Sequence, residues 1–421
     1  MFSFLHAADI HLDSPLRGLE LPPDAPLDQI RGAARRAFEN LVTLALDEEV
    51  SFVLLAGDLY DGDWRDFNTG LFFNRQMARL KEVGIPVIAI SGNHDAASQI
   101  TRNLHPPDNV KFLSTKKPET WHLKELDVAI HGQGFASRAV TDDLSAAYPQ
   151  AIPGCFNIGL LHTALSGREG HEPYAPGTVD GLRSKGYQYW ALGHVHQREV
   201  VLNDPWILFP GTIQGRHIKE QGAKGCTLVT VHDGNVTSVE HRELDILRWV
   251  LCPVDLTGCT TAEELYAPLQ AALQDALESG DGRPVIARIE LVGKTTVHQR
   301  LQRESDKWVN EIIGMAASLG GAGLWIEKVK IRTTESLDLD LLLADDSPIG
   351  GLLRMVATLQ SGSERLADID PEIGGFLAKL PAEIRGGDDP FLPDGEQQWA
   401  EICTDVRELL TARLLHAGGA R

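Results

Sequence analysis

An α/β fold is predicted by three features of the chain: short apolar runs, amphipathic stretches between them, and polar clusters where the runs end. Phe2 to Ala7, Phe52 to Ala56, Val87 to Ile90, Val128 to Ile130, Ile158 to Leu161 and Tyr189 to Leu192 are too short and too evenly apolar for surface helices. They fit strands covered on both faces. Gln29 to Asp47 and Asn68 to Val83 have helical spacing and length, so strands alternate with helices. Thr227 to Val231 and Val236 to Arg242 flank Asp233-Gly234-Asn235, a hairpin-type connection that closes this part of the chain with antiparallel strands.

A second pattern starts near Leu247: strand (Trp249 to Val254), helix (Ala262 to Glu278), strand (Val285 to Val292), helix (Lys307 to Ser318), strand (Trp325 to Arg332). Glycines 280, 282, 320, 321 and 323 stand where its helices should stop. The remainder is leucine-rich among aspartates, with helices expected at Ile349 to Gln360 and Gln398 to Leu415. The expected domains are therefore 1–245, 246–335 and 336–421.

The chain has 421 residues and a formal charge of −20. Residues 333–421 carry 7 basic and 17 acidic groups, so half of the excess lies in the last fifth. With 43% hydrophobic and 23% charged residues the composition is that of a globular protein and excludes disorder as the overall state. No apolar window approaches the about 18 residues of a membrane span. Met1-Phe2-Ser3-Phe4-Leu5 lacks a positive region ahead of its apolar stretch, which argues against a signal peptide and for a cytoplasmic location. Cys155, Cys226, Cys252, Cys259 and Cys403 are scattered, which fits reduced thiols and not a thiolate zinc site.

Five segments share one layout, an apolar strand followed by metal-competent side chains: Asp9-Ile10-His11, Gly57-Asp58-Leu59-Tyr60-Asp61, Gly92-Asn93-His94-Asp95, His162, and Gly193-His194-Val195-His196. Ligands of open α/β sheets bind at the carboxyl ends of the strands. Asp9 and His11, like His194 and His196, are two apart, so extended backbone would project each pair from one face. With Asp58, Asn93 and His162 they supply seven groups, too many for one tetrahedral ion and well used by two ions sharing a carboxylate. Mixed imidazole, carboxylate and amide donors suit manganese, iron or zinc. Gly57, Gly92 and Gly193 stand where the chain must turn off the sheet. Taken singly, each segment has an ordinary reading as a turn or sheet-edge pair; in order and at strand ends, they point jointly to a metal site.

These segments resemble the full motif set of the calcineurin-like metallophosphoesterases. Phe4-Leu5-His6-Ala7-Ala8-Asp9-Ile10-His11-Leu12-Asp13 and Pro210-Gly211-Thr212-Ile213-Gln214-Gly215-Arg216-His217 further resemble the SbcD-type bacterial DNA repair exonucleases, especially their YhaO-like branch. The resemblance covers residues 1–245 by motif and the rest by layout. It implies a β-sandwich flanked by helices (αββα), a small α+β capping domain and a short helical tail. It further implies that Asp9, His11 and His196 hold one divalent ion, that Asn93, His162 and His194 hold the other, and that Asp58 bridges, with manganese the expected metal. By the same resemblance His94 faces the scissile phosphate as general acid, and Asp95 is expected to orient it. Archaeal and eukaryotic relatives tend to carry a second histidine three residues after the bridging aspartate. Asp61 stands there instead, as in the bacterial branch, which leaves its role open.

Arg216, Arg17 and Arg102 are the foremost candidates for DNA phosphate contacts, Arg216 because it follows the shared Pro-Gly-Thr-Ile-Gln-Gly turn. Arg138, Arg168, Arg198, Lys219, Arg300 and Arg303 are weaker ones. The leading expectation is a two-metal nuclease subunit acting on DNA ends, its acidic tail docking a coiled-coil ATPase of the SbcC or YhaN type, its catalytic domain able to pair with itself. A phosphoesterase of nucleotides, cyclic nucleotides or phosphoproteins is the alternative, and a non-catalytic scaffold a third.

Overall fold

The computed structural model describes residues 1–14, 30–61, 67–97, 105–165 and 174–336, with residues 351, 405 and 409. Apart from those three positions the expected tail helices lie outside the described residues, as do Arg17, Arg102 and Arg168. The chain divides into two compact units: Met1–Cys252 with Leu273–Ile289 and Ile313–Lys328, and Pro253–Ala272 with Glu290–Ile312 and the residues from Val329 onward.

Two six-stranded sheets form the first unit's body. The first sheet contains β1 (Phe2–Ala7), β2 (Phe52–Ala56), β3 (Val87–Ile90), β4 (Val110–Phe112), β11 (Gly225–His232) and β12 (Asn235–Glu243), in the order β12-β11-β1-β2-β3-β4. The second contains β5 (Glu119–Leu123), β6 (Val128–Gly132), β7 (Phe156–His162), β8 (Tyr189–Gly193), β9 (Glu199–Asn203) and β10 (Trp206–Phe209), in the order β5-β6-β7-β8-β10-β9. Strands β1 to β4 are parallel, as are β6, β7, β8 and β10, while the hairpin strand β11 runs antiparallel to β1.

Side-chain alternation explains why the strands read as continuous apolar runs. Phe4, Phe52, Leu54, Ile88 and Ile90 pack with Ile130, Ile158, Leu160, Tyr189 and Ala191 in the core between the sheets. Their neighbours Leu5, Val53, Leu55, Val87 and Ala89 pack with Ala37, Phe38, Leu41, Phe73 and Met77 in the layer of helices α1 (Ala33–Asp47) and α2 (Phe67–Glu82). Successive strand residues point to opposite faces, so covering both faces demands apolar residues throughout. On the second sheet's far face, Leu161, Trp190, Leu192 and Phe209 pack with Tyr148, Tyr187 and Leu182, the last from the short helix α4 (Val179–Arg183). A short helix α3 (Asn93–Ala97) follows β3. The layering is helix, sheet, sheet, helix and loop, as expected.

Strands β13 (Arg248–Asp255), β14 (Val285–Thr295) and β15 (Leu324–Glu335) form a third sheet in that order. Helix α5 (Tyr266–Ser279) connects the first two, and α6 (His298–Arg303) with α7 (Ser305–Gly320) the last two. No helix among the described residues is long and apolar enough to cross a membrane.

Candidate metal centre

All seven expected ligands converge at the carboxyl ends of β1, β2, β3, β7 and β8. Backbone bonds zip residues 9–12 along 57–60: Asp9 N–H donates to Gly57 O (3.1 Å), His11 N–H to Asp58 O (3.0 Å), and Leu12 N–H to Leu59 O (2.9 Å). This places Asp9 and His11 beside Asp58. The backbone is not extended there, which corrects the one-face expectation from two-residue spacing. Strand β1 ends at Ala7, and Asp9, His11 and Asp58 take left-handed φ values of 51°, 46° and 53°. His194 follows the end of β8 with φ 100°. The turns, not strand pleating, aim these side chains, and sparsely populated backbone of this kind gathers at functional sites.

Glycine is required here for space as well as for turning. A Cβ on Gly92 would lie 2.3 Å from Asp58 Oδ1, and one on Gly57 2.5 Å from His162 Nδ1. Both residues let backbone pass against ligand side chains.

The side chains form two cation-competent clusters, Asp9 with His11 and His196, and Asp58 with His162 and His194; Asp58 also clusters with His11 and His94. Asp58 Oδ1 accepts the His94 N–H (2.9 Å), while Oδ2 lies 3.4 Å from His162 Nε2 and 3.9 Å from His11 Nε2. Oδ2 thus stands between the clusters, where a bridging ligand belongs. His162 Nδ1 is bonded to Ala56 O (2.9 Å), which turns Nε2 toward Asn93 Oδ1 at 2.9 Å. His196 Nδ1 donates to the buried carboxylate of Glu220 (2.6 Å), so its Nε2 lone pair faces inward, 3.3 Å from His11 Nε2. A carboxylate behind a ligating imidazole fixes ring and tautomer.

Two inward imidazole nitrogens face each other with at most one hydrogen between them, and a carboxylate and an amide oxygen meet on the His162 nitrogen, where a proton holds the place a cation would take. That donor set fits divalent cations. The protonation pattern agrees. Burial opposes charge on His162, but the Asp58 carboxylate overrides it and pushes the imidazole up to about 9. Burial likewise opposes ionisation of Asp58, yet the neighbouring histidines hold its carboxyl well below the usual range. Burial, with Arg216 nearby, pushes His11 down to about 3, and burial raises Asp9.

His94 is more exposed than His11, His162 and His196, its side chain one third accessible. Its partner is Asp61, not the expected Asp95: Nδ1 lies 2.7 Å from Asp61 Oδ1, and Asp61 also accepts from Ser14 Oγ. Burial disfavours the imidazolium, but Asp61 outweighs it and raises the His94 pKa. Asp95 is fully committed to backbone. Its Oδ1 accepts from Leu59 N (2.9 Å) and Tyr60 N (3.0 Å), and its Oδ2 from Gly92 N (3.0 Å). It ties together the two turns that present Asp58 and Asn93. Burial and the Asp58 charge raise its carboxyl to about 7.

The structure also relocates Arg216. Its guanidinium is bonded to Glu220 (Nη2 to Oε1, 3.0 Å) and reaches Ser14 Oγ (3.4 Å), with a side chain only 15% accessible. It braces the Glu220–His196 pair at the edge of the centre. Thr212 of the same segment donates to Asp9 O (2.6 Å), and Gln214 bonds to Gly215 O, Leu247 O and Ile246 N. Of the weaker basic candidates, Arg138 and Lys219 are exposed, and Arg198 is half-buried just ahead of β9. Arg303 ends α6, and Arg300 pairs with Glu304.

Two supports escaped sequence reasoning. Glu220 lies four residues after Arg216, a spacing that suggests a pair but not that it backs a ligand. Asp13, two residues after His11, accepts from Arg35 of α1 (Nε to Oδ1, 2.7 Å) and from Thr69 of α2, anchoring the Asp9–Ser14 turn to both helices.

Residues 2–198 match the calcineurin-like phosphoesterase model, and residues 249–334 match the middle domain of the metallophosphoesterase YhaO. The chain is 37% identical over 295 residues to the Bacillus subtilis protein named uncharacterized metallophosphoesterase YhaO, covering 69% of this chain and 72% of that one. This chain belongs to the calcineurin-like metallophosphoesterases. Calcineurin-like phosphoesterases bind two divalent metals, in keeping with the two linked clusters of this metallophosphoesterase. It is also 27% identical over 318 residues to the DNA double-strand break repair protein Mre11 of Sulfurisphaera tokodaii, covering 71% of this chain and 76% of that one. A solved structure of a Thermus thermophilus protein aligns over 58% of this chain and 99% of its own at 13% identity and TM-score 0.35, too distant to bear on the chemistry.

Proposed function

We propose that this metallophosphoesterase is a manganese-dependent nuclease acting on DNA ends in the cytoplasm, working with a coiled-coil ATPase. The observation that carries the reading is the pair of clusters with the Asp58 carboxylate between His162 of one and His11 of the other, and the His94–Asp61 couple beside them. Two divalent ions held by Asp9, His11, Asp58, Asn93, His162, His194 and His196 supply Lewis acidity toward a phosphoryl oxygen and lower the pKa of water toward neutrality.

The chain's own residues do the rest. Asp58, accepting the His94 N–H through Oδ1, fixes the start of α3 and leaves Oδ2 for the cations. Asp61, accepting from Nδ1, raises the His94 pKa against the opposing effect of burial and so favours the imidazolium, whose Nε2–H would be the donor offered to a phosphate oxygen or departing alkoxide. Glu220 and Arg216 keep the His196 lone pair turned inward. DNA as substrate is supported by the similarity to a double-strand break repair protein and by the SbcD-like opening and Pro210–His217 segments. The strongly acidic chain after residue 332 suits a protein partner better than a polyanion.

Purified protein incubated with linear duplex and single-stranded DNA in manganese, with and without its ATPase partner, tests the reading. Cleavage abolished by Asp58→Ala is expected. Turnover of nucleotides or small phosphodiesters with every DNA left intact would reassign the substrate, and inertness toward all of them would leave a scaffold.

A further inference from the structure

We propose that the turn between β4 and β5, with Trp121, forms a surface that guides a single polynucleotide strand at the entrance to the metal centre; this rests on the DNA reading above. In a chain of net charge −20, residues 111–124 carry four lysines (Lys111, Lys116, Lys117, Lys124) against one acid, Glu119. That acid is already engaged. Its Oε1 pairs with Lys111 (2.6 Å) and its Oε2 accepts the Ser114 N–H (2.8 Å). Ser114 Oγ in turn accepts the Lys116 N–H (3.1 Å), so the turn is a built structure that leaves Lys116 and Lys117 exposed.

The turn stands on the same edge as the centre. Strand β4 runs parallel to β3, whose carboxyl end presents Asn93, so the chain leaving Phe112 emerges on that side. Ser114 O accepts from Gly134 N (3.1 Å), and the next residue, Phe135, donates to Ser91 O (2.8 Å) and sets its ring edge-on to His162, centroids 5.4 Å apart. Two contacts, joined by the Gly134–Phe135 peptide link, thus connect the lysine turn to His162. Strand β5 then runs away from that edge, antiparallel to β6, as the outermost strand of its sheet. Trp121, at its middle, is 38% exposed with the Lys111 ammonium 5.3 Å from its ring centroid.

Cations that track a backbone beside an exposed aromatic face are what single strands require. Lysines meet the phosphates, and any base can stack on the indole. Such a surface is sequence-tolerant, and it would let the protein hold the strand on one local basic site despite its overall charge.

The test is fluorescence anisotropy with labelled oligothymidine in chelator, alongside DNA cleavage and turnover of a small chromogenic phosphodiester in manganese. The Lys116→Glu/Lys117→Glu variant should bind at least tenfold more weakly, with the salt slope reduced by about 1.4, the value for two lost single-strand phosphate contacts. Trp121→Ala should lose about fivefold or more. Both should hydrolyse the small ester at the wild-type rate. Unchanged binding by variants of a wild type that binds and cleaves DNA overturns the surface alone. An equal loss in a matched Arg183→Glu/Lys307→Glu variant also overturns it, by showing a general charge effect. A wild type that neither binds nor cleaves any polynucleotide overturns both this surface and the DNA reading.

Discussion

At His94 the Asp61 carboxylate works against burial and raises the imidazole pKa, which favours the protonated form that the proposed general acid needs. His94→Ala should leave two metals bound per chain by metal analysis and lower DNA cleavage about 100- to 10,000-fold. Asp61→Asn removes the charge that raises the His94 pKa, so the imidazolium is lost at lower pH. The alkaline limb of the rate profile should therefore move to lower pH, while Asp95→Asn should act chiefly on metal affinity by loosening the turns it ties. His162 gives a second pH effect. In the metal-free protein its pKa stands at about 9, above the 6.5 of an unperturbed imidazole, so its proton adds stability below about pH 6.5 that is lost as pH rises through about 9. A cation must displace that proton. Metal affinity measured by calorimetry should rise with pH up to about 9, by at most about tenfold per unit for one proton released. The convergence of the seven expected ligands was legible in the sequence because each is set by a short motif at a strand end. The His94–Asp61 pair was not, because the two are 33 residues apart and the adjacent Asp95 was the obvious candidate. Which carboxylate meets His94 depends on the turn after β2.

At the scale of elements, β1, β2 and β3 were readable to the residue because both their faces are covered and all their positions but Ser3 and His6 are apolar. The edge strands β5 and β9 were not legible: Glu119–Leu123 and Glu199–Asn203 mix polar and apolar residues and are partly exposed. The left-handed turns at Asp9, His11 and Asp58 were likewise hidden, since two-residue spacing looks the same in a strand and in a turn. Those turns make the glycines and anchors sensitive. Gly92→Ala would drive a methyl into Asp58 Oδ1 and should cost metal binding, read by metal content, while far-UV circular dichroism stays native. Asp13→Ala frees the Asp9–Ser14 turn from Arg35 and Thr69. Its expected effect is a loss of metal affinity on the order of 10- to 100-fold, as for other residues that support ligands.

For the whole molecule, half of the −20 charge lies in an acidic stretch remote from the motifs in sequence, and the carboxylates of the centre, which bound cations would neutralise, make up part of the rest. DNA binding by this chain alone should be weak and strongly salt-dependent. A chain ending at residue 336 should hydrolyse small phosphodiesters like the full protein, yet fail to co-purify with a coiled-coil ATPase. The most direct test of the two-metal nuclease centre is cleavage of linear DNA in manganese by the wild type and by Asp58→Ala, with metal content measured on both. Cleavage by the wild type, and loss of both metal and cleavage in the variant, is the expected result. DNA cleavage that survives in a metal-depleted Asp58→Ala protein, or a fully metal-loaded wild type that cuts no DNA, would contradict it.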